Sequence, residues 1–204
     1  MPTNPSFWYV TSFGEKFRRV VQENRDKRDL QEELSGKRIS AGWIAPGYKI
    51  VGTGTWPDWM AFWVPLLSRK ARSCLQELIA PHCEFLPWIE ESGHEYTLVN
   101  VTTRVPRSNW SCERSSIYFD EYAAADIISV HGTTIPEIFK LEGYQGKVFV
   151  SDAVAQLSVE RGLRGAMFVD PKIPAMHLPF ISPRFGRKGT GFVRIEDAPV
   201  PLES

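Results

Sequence analysis

Cysteine is scarce in this sequence, and neither sign of charge predominates. The three cysteines, Cys74, Cys83 and Cys112, are an odd number with no C-x-x-C spacing, so a disulfide framework is not expected. The 24 basic and 24 acidic residues cancel, which removes any general attraction to nucleic acid or an anionic membrane surface. Only a local patch at Arg184, Arg187 and Lys188 is left as a nucleic-acid candidate. The longest apolar run, near Met60 to Leu67, is far too short to span a bilayer. The four histidines, His82, His94, His131 and His177, are scattered and carry no metal-ligand spacing. The opening MPTNPSFWYV has no basic stretch leading into an apolar one, so no secretory signal is expected and a cytoplasmic location is.

What the sequence has instead is aromatic mass and one strong pattern. Seven Trp in 204 residues call for core or interface anchors, since Trp is costly to expose. The strongest pattern runs from Val64 to Thr103 as strand, helix, strand, glycine turn and strand. Ala71, Cys74, Leu75, Leu78 and Ile79 follow helical spacing, Ser68 stands where an N-cap belongs, and Pro81 closes the helix. On the apolar face Cys74 suits a reduced, packed thiol. A weaker echo runs from Lys147 to Pro171, where Ser151 opens a second helix that Gly162 ends. Each Ser is followed at the same interval by a Phe, Ser68 by Phe85 and Ser151 by Phe168.

The rest of the chain fills in around these units. Ser6–Ser12 reads as a strand, and Glu15–Leu34 as a polar surface helix with Phe17, Val20 and Val21 as one apolar turn. Trp56, Trp59 and Trp63 share a face if Pro57 and Asp58 open a helix. Arg104–Ser116 reads as a long polar loop, and Ile117–Tyr122 and Ile127–His131 as strands. Ile138–Leu141 and Lys147–Val150 flank a turn. The expected class is α+β: a mixed, largely antiparallel sheet with two to four helices, including two Ser-capped strand–helix–strand units. One domain over 1–204 is expected, with an aromatic N-terminal part at 1–63, a core at 64–171 and a Pro- and Gly-rich end at 172–204.

Catalytic chemistry is hard to find. Ser68 and Ser151 lack the strained G-x-S-x-G turn and are better explained as caps. Gly52-Thr53-Gly54 lacks the third glycine of a dinucleotide site, and Gly186–Gly191 lacks P-loop spacing. The candidate site residues are therefore partner contacts: Arg107, Trp110 and Arg114 in the polar loop, then Arg69, Lys70 and Arg72. These last three stand at the positive end of their helix, against its dipole, where a partner or plain solvent could account for them.

One family resemblance adds to this reading. Trp56-Pro57-Asp58-Trp59, the Ser-capped helix with Ala71 and Leu75, Phe85-Leu86-Pro87 and Tyr96–Val101 come in that order. Ser111–Ser115, Glu137–Leu141, Val148–Asp152 and Gly162–Gly165 before Phe168 follow. Over Trp56–Pro171 this order resembles the family-eleven immunity proteins of bacterial polymorphic toxin systems. The resemblance implies an α+β protein that binds and blocks a cognate toxin, with no catalytic residue and no cofactor. The reading from another class is a small enzyme or ligand-binding domain with a cleft between the two strand–helix units.

Overall fold

The computed structural model describes residues 6–12, 17–22, 36–45, 48–60, 64–89, 93–115, 125–144, 147–172 and 191–193. In chain order the strands before the first helix are β1 (Phe7–Ser12), β2 (Arg19–Gln22), β3 (Tyr48–Val51), β4 (Trp59–Met60) and β5 (Leu66–Ser68). Helix α1 (Arg69–Ile79) leads to β6 (Cys83–Ile89), β7 (Glu95–Val101), β8 (Arg104–Val105), β9 (Trp110–Ser115) and β10 (Ala125–Val130). β11 (Ile138–Leu141) and β12 (Phe149–Ser151) precede helix α2 (Asp152–Glu160), and β13 (Ala166–Val169) and β14 (Gly191–Val193) follow it. The class is α+β, with mostly antiparallel sheets and, among the described residues, two α-helices. Neither is long and apolar enough to cross a membrane.

Both helices begin as their sequences require. Ser68 and Ser151 hold extended backbone, and their hydroxyls accept from Ala71 N at 3.2 Å and Val154 N at 3.3 Å. Each cap also leans on an acid from the preceding segment. Ser68 donates its N–H to Asp58 O and its hydroxyl to Asp58 Oδ1, and Ser151 donates likewise to Glu137 O and Glu137 Oε2. The two units thus share a local device as well as a pattern.

They also share a topology. β5 and β6, joined by α1, are both antiparallel to β7, which lies between them (Leu66↔Leu98, Glu84↔Asn100). β12 and β13, joined by α2, are both antiparallel to β1 between them (Tyr9↔Phe149, Tyr9↔Val169). Each unit is a strand–helix–strand split by a third strand. That strand comes from after the unit in one case and from near the start of the chain in the other. The first sits in a four-stranded sheet, β4-β5-β7-β6, and the second in a six-stranded sheet, β14-β13-β1-β12-β11-β8.

One apolar core joins both units. Ala71, Leu75 and Ile79 of α1 and Val154 and Ala155 of α2 pack with Leu67, Val99 and Val101 of one sheet and Trp8, Val150 and Phe168 of the other. Neither sheet leaves its second face bare. Phe7, Tyr9, Phe139, Phe149 and Val169 lie under the β9–β10 hairpin, and Leu86, Trp88, Tyr96 and Leu98 lie under Ile39, Trp43 and Trp56. Cover on both sides explains why β7 is buried at every position after Glu95. The sheets are tied together at Gly165, where an added Cβ would stand 2.5 Å from Trp59 O and from Pro57 Cβ.

Three expectations need correction. Phe17–Gln22 is not a helical turn; Arg19–Gln22 pairs with Tyr48–Val51, and a distant partner strand outweighs weak helical spacing around Val20 and Val21. Trp59 is in a strand rather than on a helix with Trp56, because Asp58 is held by Ser68 and by Arg164 and the chain is extended there. Arg104–Ser115 is ordered as β8, a 3-10 turn and β9, not a long loop. Its polar composition hid a two-residue alternation in which Trp110 and Cys112, opposite Val130 and Ile128, face the sheet. Trp63, Ile117–Tyr122, Glu23, Lys27, Arg184, Arg187 and Lys188 lie outside the described residues.

Candidate partner-binding surface

The 3-10 turn Arg107–Asn109 connects the edge strand β8 to β9. Asn109 braces it by donating Nδ2 to the carbonyls of His131 and Gly132, while His131 N donates to Asn109 O at 2.9 Å. Arg107 is fixed three times over. Its N–H donates to Glu142 Oε2 at 3.0 Å, its Nη1 to Trp110 O at 2.6 Å, and its guanidinium lies 4.1 Å from the centre of the Trp110 ring. The residue itself is exposed. An Arg stacked on an aromatic face has little side-chain entropy left to lose on binding.

Trp110 occupies a different position from the one its sequence setting suggested. It is only 5% exposed, packed edge-on to Tyr144 and within the same cluster as Tyr9 and Phe149. It is a core residue that supports Arg107 from beneath, and it cannot present its own face to a partner. Lys147 completes the rim, its Nζ lying 4.7 Å from the Tyr9 ring centre and 5.6 Å from that of Tyr144. Burial, with Tyr144 close by, pushes the Tyr9 phenol far above its usual range. Arg114 is in β9 opposite Asp126, and its side chain lies outside the described residues.

Arg69, Lys70 and Arg72 do not join this surface. Their helix belongs to the core on the side of the six-stranded sheet that carries Trp8 and Val150, whereas Trp110 packs against the face carrying Tyr9 and Phe149. The sheet therefore separates the two groups. Each of the three also has an internal partner. Arg69 pairs with Glu95 at 2.6 Å, Lys70 donates to Gly162 O at 3.0 Å, and Arg72 reaches Thr97 Oγ1 and lies 5.2 Å from the Phe85 ring centre. Intramolecular contacts suffice to account for Lys70 and Arg72. Arg69 and Glu95 are 81% and 57% exposed, so their pair adds little to stability.

A second exposed arrangement has no linear signature. Trp56 is stacked by His94 with ring centres 3.6 Å apart, and the Arg18 guanidinium lies 4.2 Å from its ring centre. Arg18 is held there by donating Nε to Gly54 O. The Trp56 stripe marked one member; Arg18 and His94 come from distant segments that only folding brings together.

Burial also shifts two other groups, Cys83 and Lys140. Burial pushes the Cys83 thiol up to about 12, despite Arg38 nearby, which makes it inert. Burial and then Arg104 lower Lys140 to about 8. Among the described residues no group of His, Cys, Asp or Glu is arranged to hold a metal. Ser68 and Ser151 are occupied as caps, and the seam between the units is filled by Leu75, Ile79, Val154, Ala155 and Leu163. A ligand cleft there would have to part that core. The chain matches no model of a known protein family, and no characterised protein matches it.

Proposed function

We propose that this protein is a stoichiometric binder, an immunity protein that neutralises a cognate toxin in the cytoplasm of the cell producing it. The observation that carries the reading is Arg107: exposed, immobilised on Trp110, and held at its main chain by Glu142. Among the described residues its Nε and Nη2 donate to nothing, so one edge of the fork is available for a carboxylate on the toxin. A rigid scaffold presenting a few anchors is how tight protein interfaces obtain most of their energy. The order of segments from Trp56 to Pro171 supplies the toxin–immunity context, and the surface supplies the contact.

Co-expression with the product of the neighbouring reading frame tests this. Rescue from its toxicity and a 1:1 complex are expected. Arg107→Ala should weaken that complex by roughly 10- to 100-fold at a cost of only about 1 kcal/mol in folding stability, while Trp110→Ala should cost about 3–5 kcal/mol. Arg69→Ala should leave binding unchanged. Full-strength binding by Arg107→Ala would remove the contact from this surface, and absence of protection would remove the immunity reading.

A further inference from the structure

We infer that residues 36–45 form a hinged strap, held shut over the outer face of the four-stranded sheet by Glu84 and Asn100, which opens as a unit while both sheets stay folded. Among the described residues this segment makes no backbone-to-backbone hydrogen bond with either sheet; its one such bond is internal, Trp43 N to Ser40 O. Its attachments are to side chains instead. Ile39 N donates to Glu84 Oε2 at 2.8 Å and Ser40 N to Glu84 Oε1 at 3.3 Å, while Asn100 Nδ2 donates to Lys37 O at 2.7 Å and to Glu84 Oε2 at 2.9 Å. Among the described residues the remaining hydrogen bond is Trp43 Nε1 to Pro87 O at 3.0 Å, on the edge strand β6.

Gly36, where the strap begins, and Gly42, inside it, hold backbone that other residues adopt only under strain, at φ +97° and φ +86°. Nothing stands within 4 Å of a Cβ built at Gly42, whereas one at Gly36 would meet Arg104. Lys37, Arg38, Ser40, Gly42 and Ile44 face solvent, and only Ile39 and Trp43 reach down to Leu86, Trp88 and Leu98.

The latch itself is poised. Glu84 and Asn100 are buried beneath the strap, and among the described residues Asn100 Oδ1 accepts no hydrogen bond. Burial acts to raise the Glu84 carboxyl, but the bonds from Ile39, Asn100 and Ser40 outweigh it and hold the group below its ordinary value. The described charged groups on the strap are Lys37 and Arg38, and Arg104 lies against Gly36. Opening would hydrate Glu84 and the orphaned Asn100 oxygen together, which lowers its cost relative to unfolding of the sheet.

Amide hydrogen exchange on the whole chain tests the device. The Ile39 and Ser40 amides should exchange at least about tenfold faster than Val99, whose N–H is bonded to Pro65 O within the sheet. Glu84→Gln should accelerate residues 37–43 by a further tenfold or so and leave β7 unchanged, since a charged acceptor is lost and the shape is kept. Trp43→Phe removes the tie to Pro87 alone and should accelerate the same amides together. Exchange of Ile39 and Ser40 in step with Val99, or equal acceleration of β7 by both variants, would overturn the strap.

Discussion

Lys70, in the first turn of α1, donates its Nζ to the carbonyl of Gly162, just past the C-terminal end of α2. The cation that opposes its own helix dipole thereby serves the negative end of the neighbouring one. Asp58 Oδ2 lies 3.6 Å from the same Nζ and also accepts from Arg164 N, so the junction of the two units is a small charged knot. A charge that looks misplaced along the sequence is well placed across the fold.

Reversing that charge should therefore hurt more than removing its neighbour. Lys70→Glu places a carboxylate against the Gly162 carbonyl and Asp58, and should cost about 1 kcal/mol or somewhat more. Arg69→Ala, which loses only an exposed pair, should stay within about 0.5 kcal/mol of the parent. Urea unfolding of the two variants decides it, and equal midpoints would mean that Lys70 contributes nothing across the helices.

Asp58 makes a second comparison possible. Ser68→Ala and Ser151→Ala each remove one cap and should each cost about 1 kcal/mol. Asp58→Ala removes the support of one cap and also leaves Arg164 N, bonded to Asp58 Oδ2 at 3.0 Å, without its acceptor. It should cost about 2 kcal/mol, the loss of the acceptor for a part-buried donor added to the weakened cap. Calorimetric or urea stabilities would refute this if Asp58→Ala were no worse than Ser68→Ala.

How much of this was readable follows from what each pattern depends on. The caps at Ser68 and Ser151, the stripe Ala71–Leu75–Ile79 and the β6–β7 hairpin depend on neighbours in sequence, and they stand as read. The echo of the two units was visible, but its meaning was not, because β1 and β7 enter from outside the repeated segments. Val20 and Val21 were misplaced because their strand partner, Tyr48–Val51, is far along the chain. At the candidate site, Arg107 could be named from composition alone. That Trp110 lies beneath it, and that Trp56 is flanked by Arg18 and His94, depends on contacts that no spacing encodes.

Lys140 gives the stability of this protein a particular dependence on alkaline pH. It lies beside Arg104 in parallel register, and burial first and then that guanidinium bring its amine down to about 8 in the folded chain. In the unfolded chain it returns to the ordinary range near 10.4. Between those values the unfolded chain holds a proton that the folded chain has released, so the stability due to this group rises with pH across the window. Below about pH 8 both states are charged, and this dependence flattens. Lys140→Met removes this titration, so the parent should gain on the variant by on the order of 1–2 kcal/mol between pH 7 and pH 10. Paired urea titrations at the two pH values measure the difference directly. A gap between parent and variant that is the same at pH 7 and pH 10 would show that Lys140 keeps its ordinary affinity for the proton.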